Sequence, residues 1–203
     1  MAVGPTAEPF HPPNGWRHTT GAIVRRQPFG GWKGSAVGPT AKTGGPGYVA
    51  ALCAWTDEVD DRVAPARQSY AEAWSRLGVG SDPSGLAAEV NVLRHLPLPD
   101  VVLRVEDDAD PVDVELCLLA AATVGVGVRL HDEDRSGPPG RVRILGTPSA
   151  DVLRELHASG AVVDCRRPVA DGDVELRRWV REQAISVTAH RYGRPIDRTE
   201  LGL

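Results

Sequence analysis

The sequence has 203 residues, of which 41% are hydrophobic and 25% charged, values that suit one globular domain or two small ones. A formal net charge of −4, with arginines scattered along the chain, excludes the basic surface that nucleic acids bind. No run approaches the roughly 18 apolar residues of a membrane span, and the opening MAVGPTAEPF has no signal-peptide pattern. We therefore expect a cytoplasmic chain that contacts neither membrane nor nucleic acid.

The first part of the chain is dominated by glycine and proline. Residues 1–16 are proline-rich without periodicity, which predicts a disordered lead-in. Residues 17–47 are dense in glycine, and only 22–24 look strand-like. A helical pattern starts near Pro46, and a second one covers 64–77 and ends at Gly78. The acidic residues within 57–61, between the two helices, suit a solvated face.

The second part alternates strands with helices. Five short apolar runs predict strands at 101–105, 126–130, 141–145, 161–164 and 185–189. Three amphipathic or apolar segments predict helices at 113–123, 149–159 and 173–183, with Ser149 as the N-cap of the second and Gly160 just beyond its end. This alternation is typical of a parallel sheet with right-handed crossovers, a small Rossmann-like α/β layer. We expect residues 100–190 to fold independently.

The α/β layer lacks the glycine loops that bind phosphates. The run GPTAKT at 38–43 faintly resembles a P-loop, but alanine occupies both positions where the motif needs glycine, Ala41 in the run and Ala36 before it. Gly125 and Gly127 lie between a helix and a strand, whereas a dinucleotide fingerprint follows a strand and opens a helix. The strand at 101–105 is followed by EDDADP, which would repel a pyrophosphate. The sequence therefore argues against a nucleotide site in this layer.

Metal-binding patterns are equally weak. The run HDED at 131–134 supplies oxygen ligands, but four adjacent residues at a strand end cannot all point at one ion, so a solvated turn is favoured. Other histidines are isolated in sequence and suit surface or packing positions: His18, His95, His157 and His190. We predict no metal site.

The three cysteines form no CxxC pair and no even framework, which predicts reduced thiols. Cys117 sits inside an apolar helix, where burial raises the pKa of a thiol and makes it inert. Cys165 precedes Arg166 and Arg167, which could lower its pKa, so it is the thiol to test for reactivity, although a structural role is favoured. Cys53 lies beside Trp55, and nothing in the sequence joins any of the three to a His or Glu partner.

The stretch TTGAIVRRQPFGGWKGSAVGPTAKTGGPGYV, at 19–49, resembles the C-terminal end of the aldehyde dehydrogenase fold. The match is to L-glutamate γ-semialdehyde (Δ1-pyrroline-5-carboxylate) dehydrogenases of proline catabolism. Downstream, DPSGLAAEVNVLRHLPLP and LRRWVREQAISVTAHRYG resemble the C-terminal extension of actinobacterial enzymes that join proline dehydrogenase and semialdehyde dehydrogenase in one chain.

The resemblance implies a substrate-binding role for the glycine-rich stretch. Thr20, Gly21 and Ala22 correspond to an anchor loop that binds the substrate's α-carboxylate through backbone N–H groups. Phe29 corresponds to an aromatic wall of the aldehyde tunnel, and Gly30 and Gly31 let the backbone pass beside the reactive cysteine. In the family a cysteine thiolate attacks glutamate semialdehyde, hydride passes to NAD, and a glutamate-activated water hydrolyses the thioester.

The family's machinery lies upstream of these motifs, and this sequence does not match it. Residues 1–15 do not resemble the family segment expected there, and none of the three cysteines is in the position of the nucleophile. The resemblance therefore implies no catalytic residue, no general base and no NAD-binding domain in this chain. It also implies a missing N-terminal part of an aldehyde dehydrogenase as the partner.

We predict an α/β chain in which a fragment of an aldehyde dehydrogenase C-terminal region precedes a small Rossmann-like parallel layer. The predicted parts are a disordered lead-in at 1–16, the dehydrogenase fragment at 17–55, a helical connector at 56–99, the Rossmann-like domain at 100–195 and a tail at 196–203. The leading hypothesis is the truncated C-terminal portion of a semialdehyde dehydrogenase, inactive alone, either a remnant or a split subunit. The alternatives are a non-catalytic partner that caps a separately encoded dehydrogenase, and a self-standing small-molecule binder.

Overall fold

The computed structural model describes residues 45–58, 61–82, 84–130, 140–188, 190–191 and 194–195. The predicted lead-in, the tail and the HDED run lie outside these ranges. So do the anchor-loop residues Thr20, Gly21 and Ala22, and Phe29.

The described chain contains five α-helices and eight strands. The helices are α1 (Tyr48–Leu52), α2 (Val63–Leu77), α3 (Pro111–Val124), α4 (Ala150–Ala158) and α5 (Gly172–Glu175), the last continued by a 3₁₀ turn at Leu176–Arg178. The strands are β1 (Glu89–Pro97), β2 (Asp100–Val105), β3 (Gly127–Leu130), β4 (Arg141–Leu145), β5 (Val162–Asp164), β6 (Val180–Thr188), β7 (His190–Arg191) and β8 (Arg194–Pro195). Among the described helices, none has the length and apolar character needed to cross a membrane.

The predicted α/β class is confirmed by a four-stranded parallel sheet of order β3-β2-β4-β5. Alternate residues of β2 point to opposite faces of this sheet. Val101 and Leu103 pack with α2 and α3 on one face, and Val102 packs with Val142 and Leu156 of α4 on the other. Helices therefore cover both faces, as a parallel sheet requires.

Capping residues set the ends of two helices, and the predicted Ser149 and Gly160 caps of α4 are confirmed. The Ser149 hydroxyl accepts the N–H of Val152 at 3.3 Å at the start of α4, and Gly160 follows that helix with φ of +80°. The Asp110 carboxylate caps α3 by accepting the N–H of Val112 at 2.9 Å, with Pro111 in the first turn.

Near the C-terminal end one predicted helix is wrong, and one predicted strand is confirmed as a strand but pairs outside the parallel sheet. The helix predicted at 173–183 stops after α5 and its 3₁₀ turn, and the chain is already extended at Val180. The strand predicted at 185–189 is part of the longer β6, which does not join the parallel sheet. All nine residues of β6 pair antiparallel with β1, from Val180 opposite Pro97 to Thr188 opposite Glu89. Tertiary pairing with a distant strand thus overrides the local helical pattern.

The β1–β6 ribbon includes part of the predicted connector at 56–99. The helix predicted at 64–77 in this connector is confirmed as α2, but no strand was predicted there, and β1 supplies half of the ribbon. The partner of β6 therefore lies outside residues 100–190.

The helix α2 also completes the core of the α/β layer. Tyr70 and Ala66 are fully buried in the main hydrophobic cluster. The Tyr70 hydroxyl donates to the Val169 carbonyl at 2.6 Å, and the Ser69 hydroxyl accepts the N–H of Gly172 at 2.8 Å. Without α2 and β1, residues 100–190 would expose this core and leave β6 unpaired, contrary to the expectation of independent folding.

Candidate functional site

The carboxyl end of the parallel sheet is where a doubly wound layer would bind a ligand. The chain leaves β2 toward β3 on one side and leaves β4 toward β5 on the other, so the topological switch point lies between β2 and β4. The loops that line it start at Glu106, after β2, and at Gly146, after β4.

Asp108 fills this switch point. Its Oδ1 accepts the N–H of Thr147 at 2.9 Å, and hydrogen bonds from the Thr147 hydroxyl and N–H hold the pKa of Asp108 below its usual value. Gly146 has φ of +87°, and a Cβ there would overlap the Asp108 carboxylate. The Thr147 amide, three residues before α4, thus already binds a negative charge from the chain itself, which would repel a phosphate.

A buried ion-pair network lies beneath the sheet, around Arg143. This residue sits in the middle of β4 and is only 3% exposed. Its guanidinium donates to Glu175 at 2.9 Å and to Asp164 at 3.0 Å, and its Cζ lies 5.8 Å from the centre of the Trp179 ring. Burial alone would lower the pKa of Arg143, but the charges of Glu175 and Asp164 and the contact with Cys117 together outweigh burial and raise the pKa.

Glu175 is the acceptor at the centre of this network and is fully buried. Besides Arg143, it accepts from Arg178 at 2.9 Å and from the Trp179 indole N–H at 3.0 Å. The N–H of Val169 adds a fourth bond at 3.3 Å. A carboxylate with this many donors and no exposure is suited to holding α5 against the sheet, not to proton transfer with a substrate.

Asp164, at the end of β5, joins the network to the surface. Burial alone would raise the pKa of Asp164, but hydrogen bonds from Arg166 and the charge of Arg143 hold it well below the usual range. Arg166 binds it through two nitrogens, at 2.8 and 2.7 Å.

These pairings remove the reason for testing Cys165 as a reactive thiol and agree with the structural role that the sequence favoured. Burial and the neighbouring Asp164 raise the pKa of its thiol, and they outweigh the opposing charge of Arg143. Arg166 is held by Asp164, and the Nε of Arg167 is held by Asp113 at 2.8 Å. The two guanidinium groups expected to activate the thiol are therefore paired with carboxylates.

Cys117 is not activated either. Burial raises the pKa of Cys117 to about 11, as predicted for a thiol inside an apolar helix. Cys53 is exposed just after α1, and its thiol donates to the Val49 carbonyl at 3.3 Å. The described residues contain no group of three His, Cys, Asp or Glu side chains that could hold a metal ion.

A second ion-pair cluster connects the starts of α2 and α3 to the loop after β5. Arg62 contacts Asp113 at 2.7 Å and Asp110 at 3.1 Å, and Arg167 bridges the same two carboxylates. Asp57 was expected on a solvated face, but its carboxylate is 13% exposed and accepts the N–H of Ala170 at 3.1 Å. This cluster fixes the loop's backbone, which explains why acidic residues are needed there.

A third cluster joins the end of the dehydrogenase-like stretch to the ribbon. The N–H of Gly47 donates to Glu182 of β6 at 3.3 Å, and a Cβ on Gly47 would lie 3.0 Å from the Arg177 side chain. Arg177 also contacts His95, which is 8% exposed and so a packing histidine as predicted. Glu182 and His95 face each other across the ribbon. The described start of the chain is therefore fixed to the α/β layer.

Sequence reasoning missed these three clusters, although a signal was present for one of them. Glu175, Arg178 and Trp179 follow i, i+3, i+4 spacing, which places them together on a helical turn. Arg143 alternates with apolar residues in the strand RVRIL. Its charged side chain could therefore have been paired with Glu175 as a buried cation. The contacts of Asp108 and Glu182 depend on residues far away in sequence and left no local pattern.

These observations define a Rossmann-like α/β layer with an antiparallel ribbon, a switch point occupied by its own carboxylate, and two thiols, Cys117 and Cys165, whose pKa values are raised. No protein-family model and no curated protein matches the chain.

Among solved structures, the chain is similar to Proline Utilization A (PutA) from Corynebacterium freiburgense, with 36% identity and a TM-score of 0.71. The similarity covers 85% of this chain and 20% of that one, so the chain spans about a fifth of the matched protein. It supports the relationship to aldehyde dehydrogenases of proline catabolism that the sequence motifs indicate.

Proposed function

We propose that this chain is the C-terminal portion of an NAD-dependent L-glutamate γ-semialdehyde dehydrogenase, and that it oxidises no aldehyde by itself. The observation that carries the proposal is the 36% identity to PutA over 85% of the chain. In this proposal the backbone of Thr20, Gly21 and Ala22 binds the substrate carboxylate and Phe29 packs on its aliphatic carbons. NAD and the reactive thiolate belong to polypeptide that this sequence does not contain.

The chemistry of the described residues supports inactivity of the isolated chain. Oxidation of an aldehyde through a thioester needs an activated thiolate, an oxyanion donor and a base. The pKa of Cys117 is raised to about 11 and that of Cys165 is raised as well. Asp108 occupies the turn where a Rossmann layer would hold the phosphates of NAD.

The second candidate is a partner module that completes or caps a separately encoded dehydrogenase. The observation that favours it is the apolar surface of α1, where Val49 and Leu52 are 72% and 70% exposed. Co-purification with a dehydrogenase from the same cells would distinguish this candidate from a segment of one longer polypeptide.

The first test is turnover by the purified 203-residue chain with NAD and glutamate semialdehyde, followed as NADH absorbance. We expect none, and sustained NADH formation would contradict the proposed inactivity.

The second test uses a chimera in which this chain replaces the segment of Corynebacterium freiburgense PutA that it matches. We expect the chimera to form NADH, and the same PutA without that segment to form much less. In the chimera Phe29→Ala should raise KM for the semialdehyde more than it lowers kcat. A folded chimera that forms no NADH would refute the assignment.

A further inference from the structure

The strand β3 forms one edge of the parallel sheet, and no described strand pairs with its outer side. Gly127, Arg129 and Leu130 are exposed, whereas the residues of β5, at the opposite edge, are all half-buried. An edge strand presents unpaired backbone N–H and C=O groups that another strand can bind. The sequence of β3 contains no proline, and its register with β2 is unbroken, so its backbone is suited to such pairing.

Exposed apolar side chains lie on the face of the sheet that α3 covers. Val128 packs into the main core, and Leu130, two residues later, points to the same face and is 47% exposed. On α3, Leu118 is 45% exposed and lies one turn after Val114, which packs against the same core. The side of the layer that runs along β3 therefore has apolar groups that the described chain leaves partly open to solvent.

The opposite face of β3 combines a charged side chain with a glycine. Arg129 contacts Asp100 of β2 at 2.6 Å, and both side chains are nearly half exposed. Asp100 lies opposite Gly127 in the β2–β3 register. A Cβ on Gly127 would meet only the Pro99 carbonyl oxygen, at 3.8 Å, so the described chain leaves room for a side chain here. Glycine inside a strand often marks the close approach of another backbone.

We propose that β3 pairs antiparallel with β3 of a second copy of this chain, so that the two four-stranded sheets form one continuous sheet. A twofold axis perpendicular to the sheet keeps each face continuous, so residues that point to the same face oppose each other. Centring the axis on Val128 places that residue opposite itself and Leu130 opposite Val126. Arg129 then lies opposite Gly127. Centring the axis on Arg129 would instead place two like charges side by side, which is destabilising.

The register centred on Val128 is complementary in charge and shape. Arg129 of one copy crosses Gly127 of the other, where no side chain is in its way. Asp100 is the next residue in that direction, two strand spacings or about 10 Å from the Arg129 backbone. A guanidinium has five donors, so each Arg129 that binds its own Asp100 keeps donors for the carboxylate of the second copy.

The helices that cover β3 also fit this arrangement. Each α3 lies over β2 and β3, the strands that it joins, so the two α3 helices are two strand spacings apart across the axis. This separation, about 10 Å, is a distance at which helices pack against each other. Leu118 of both copies then lies between the helices.

The competing occupants of the β3 edge are residues 22–24 of the same chain, the strand-like part of the glycine-rich stretch, and a strand of another protein. A second copy is favoured because β3 supplies both members of each complementary pair, as a twofold interface requires.

The first experiment measures the mass of the purified 203-residue chain by sedimentation velocity, from about 1 to 200 μM. The monomer has a mass of 21.7 kDa, and we expect the average mass to approach twice this value at the highest concentration. Leu118→Asp should raise Kd for self-association at least tenfold, because it places a charge between the two helices.

The matched control is Val79→Asp, which places the same charge on an apolar residue that is 66% exposed in the turn after α2. This variant should leave Kd unchanged. Circular dichroism of both variants should match the unmodified chain, because both positions are exposed.

The second experiment tests the register by forming a disulfide. The background is Cys53→Ser/Cys165→Ser, which removes the two exposed thiols. In this background Val128→Cys places two thiols opposite each other, and copper phenanthroline with dissolved oxygen should oxidise them to an interchain disulfide. In the control Leu130→Cys the two thiols are four residues apart along the strands, about 14 Å, so no covalent dimer should form.

The outcomes distinguish the possible occupants. A chain that stays monomeric at every concentration would overturn the proposal, and protection of its β3 amides from hydrogen exchange would assign the edge to the same chain. A dimer that Leu118→Asp leaves intact, or in which Val128→Cys does not cross-link faster than Leu130→Cys, would overturn it too. None of these measurements involves turnover, so the inference stands or falls separately from the proposed function.

Discussion

Glu175 shows how single residues hold the two halves of this fold together. It is fully buried and accepts four hydrogen bonds, from the β4 residue Arg143, from Arg178 and Trp179, and from the N–H of Val169. These donors come from the parallel sheet, the turn that leads into β6, and the loop after β5. A buried carboxylate is costly to desolvate, and here it is compensated by two guanidinium groups.

Replacing Glu175 should therefore be severe. Glu175→Ala leaves Arg143 and Arg178 buried without their shared acceptor, so we expect the free energy of unfolding to fall by about 3–5 kcal/mol. Urea denaturation followed by circular dichroism measures it. The control is Glu72→Ala, at an exposed position of α2, which should change stability by less than about 0.5 kcal/mol. A loss below about 1 kcal/mol for Glu175→Ala would mean that the network contributes little.

The thiol of Cys117, also a single residue, makes the stability of the fold depend on pH. Burial raises its pKa from 9.0 to about 11 in the folded chain, so its contribution to stability is complete below pH 9 and is lost as the pH rises toward 11. We expect unfolding free energy to fall between pH 8.5 and 11, with about 2 kcal/mol of the loss absent in Cys117→Ser. Equal losses in the two proteins would contradict the assigned pKa.

At the scale of elements, the decisive contact is the close approach of α5 to α2. A Cβ on Gly172 would overlap the Ser69 carbonyl oxygen and lie 2.8 Å from the Ala73 Cβ. Only glycine allows α5 to approach this closely, and α5 in turn positions Glu175 and the turn into β6. Sequence periodicity carries no information on this contact, and it predicted one long helix at 173–183.

Gly172→Ala should force α2 and α5 apart and destabilise the chain by about 1–3 kcal/mol. The control is Gly127→Ala in β3, where the nearest atom to the new Cβ would be the Pro99 carbonyl oxygen at 3.8 Å. Thermal unfolding should show a lowered Tm for Gly172→Ala alone. If the two variants unfold at the same temperature, the close approach is not required.

At the scale of the whole molecule, the parallel layer depends on segments that precede it in the chain. β6 pairs along its full length with β1, and α2 supplies Ala66, Tyr70, Ala73 and Leu77 to the main core. Removing them would expose apolar surface and a nine-residue strand at once.

A chain of residues 100–203 should therefore lack a cooperative urea transition, whereas residues 45–203 should keep one. Amide hydrogen exchange should show β6 unprotected in the shorter chain and protected in the longer one. A cooperative transition of residues 100–203 with protected β6 amides would restore the independent domain that the strand-helix alternation suggested.

The sequence by itself determined the parallel layer, because β2, β4, α3 and α4 carry local signals that their environment reinforces. Apolar runs bounded by turns, the Ser149 cap and Gly160 specify these elements without help from distant residues. It also determined the inert state of Cys117, which follows from its apolar helix. The glycine-rich motif and its proposed substrate residues stay predictions, since they lie outside the described residues.

Only the tertiary structure decided the ribbon, the role of Glu175, the raised pKa of Cys165 and the carboxylate at the switch point. Each depends on groups that are far apart in sequence: β1 pairs with β6, Arg143 with Glu175, and Asp108 with Thr147. Local propensity acts over a few residues, but strand pairing and the compensation of buried charge are fixed by what the folded chain brings within a few ångströms.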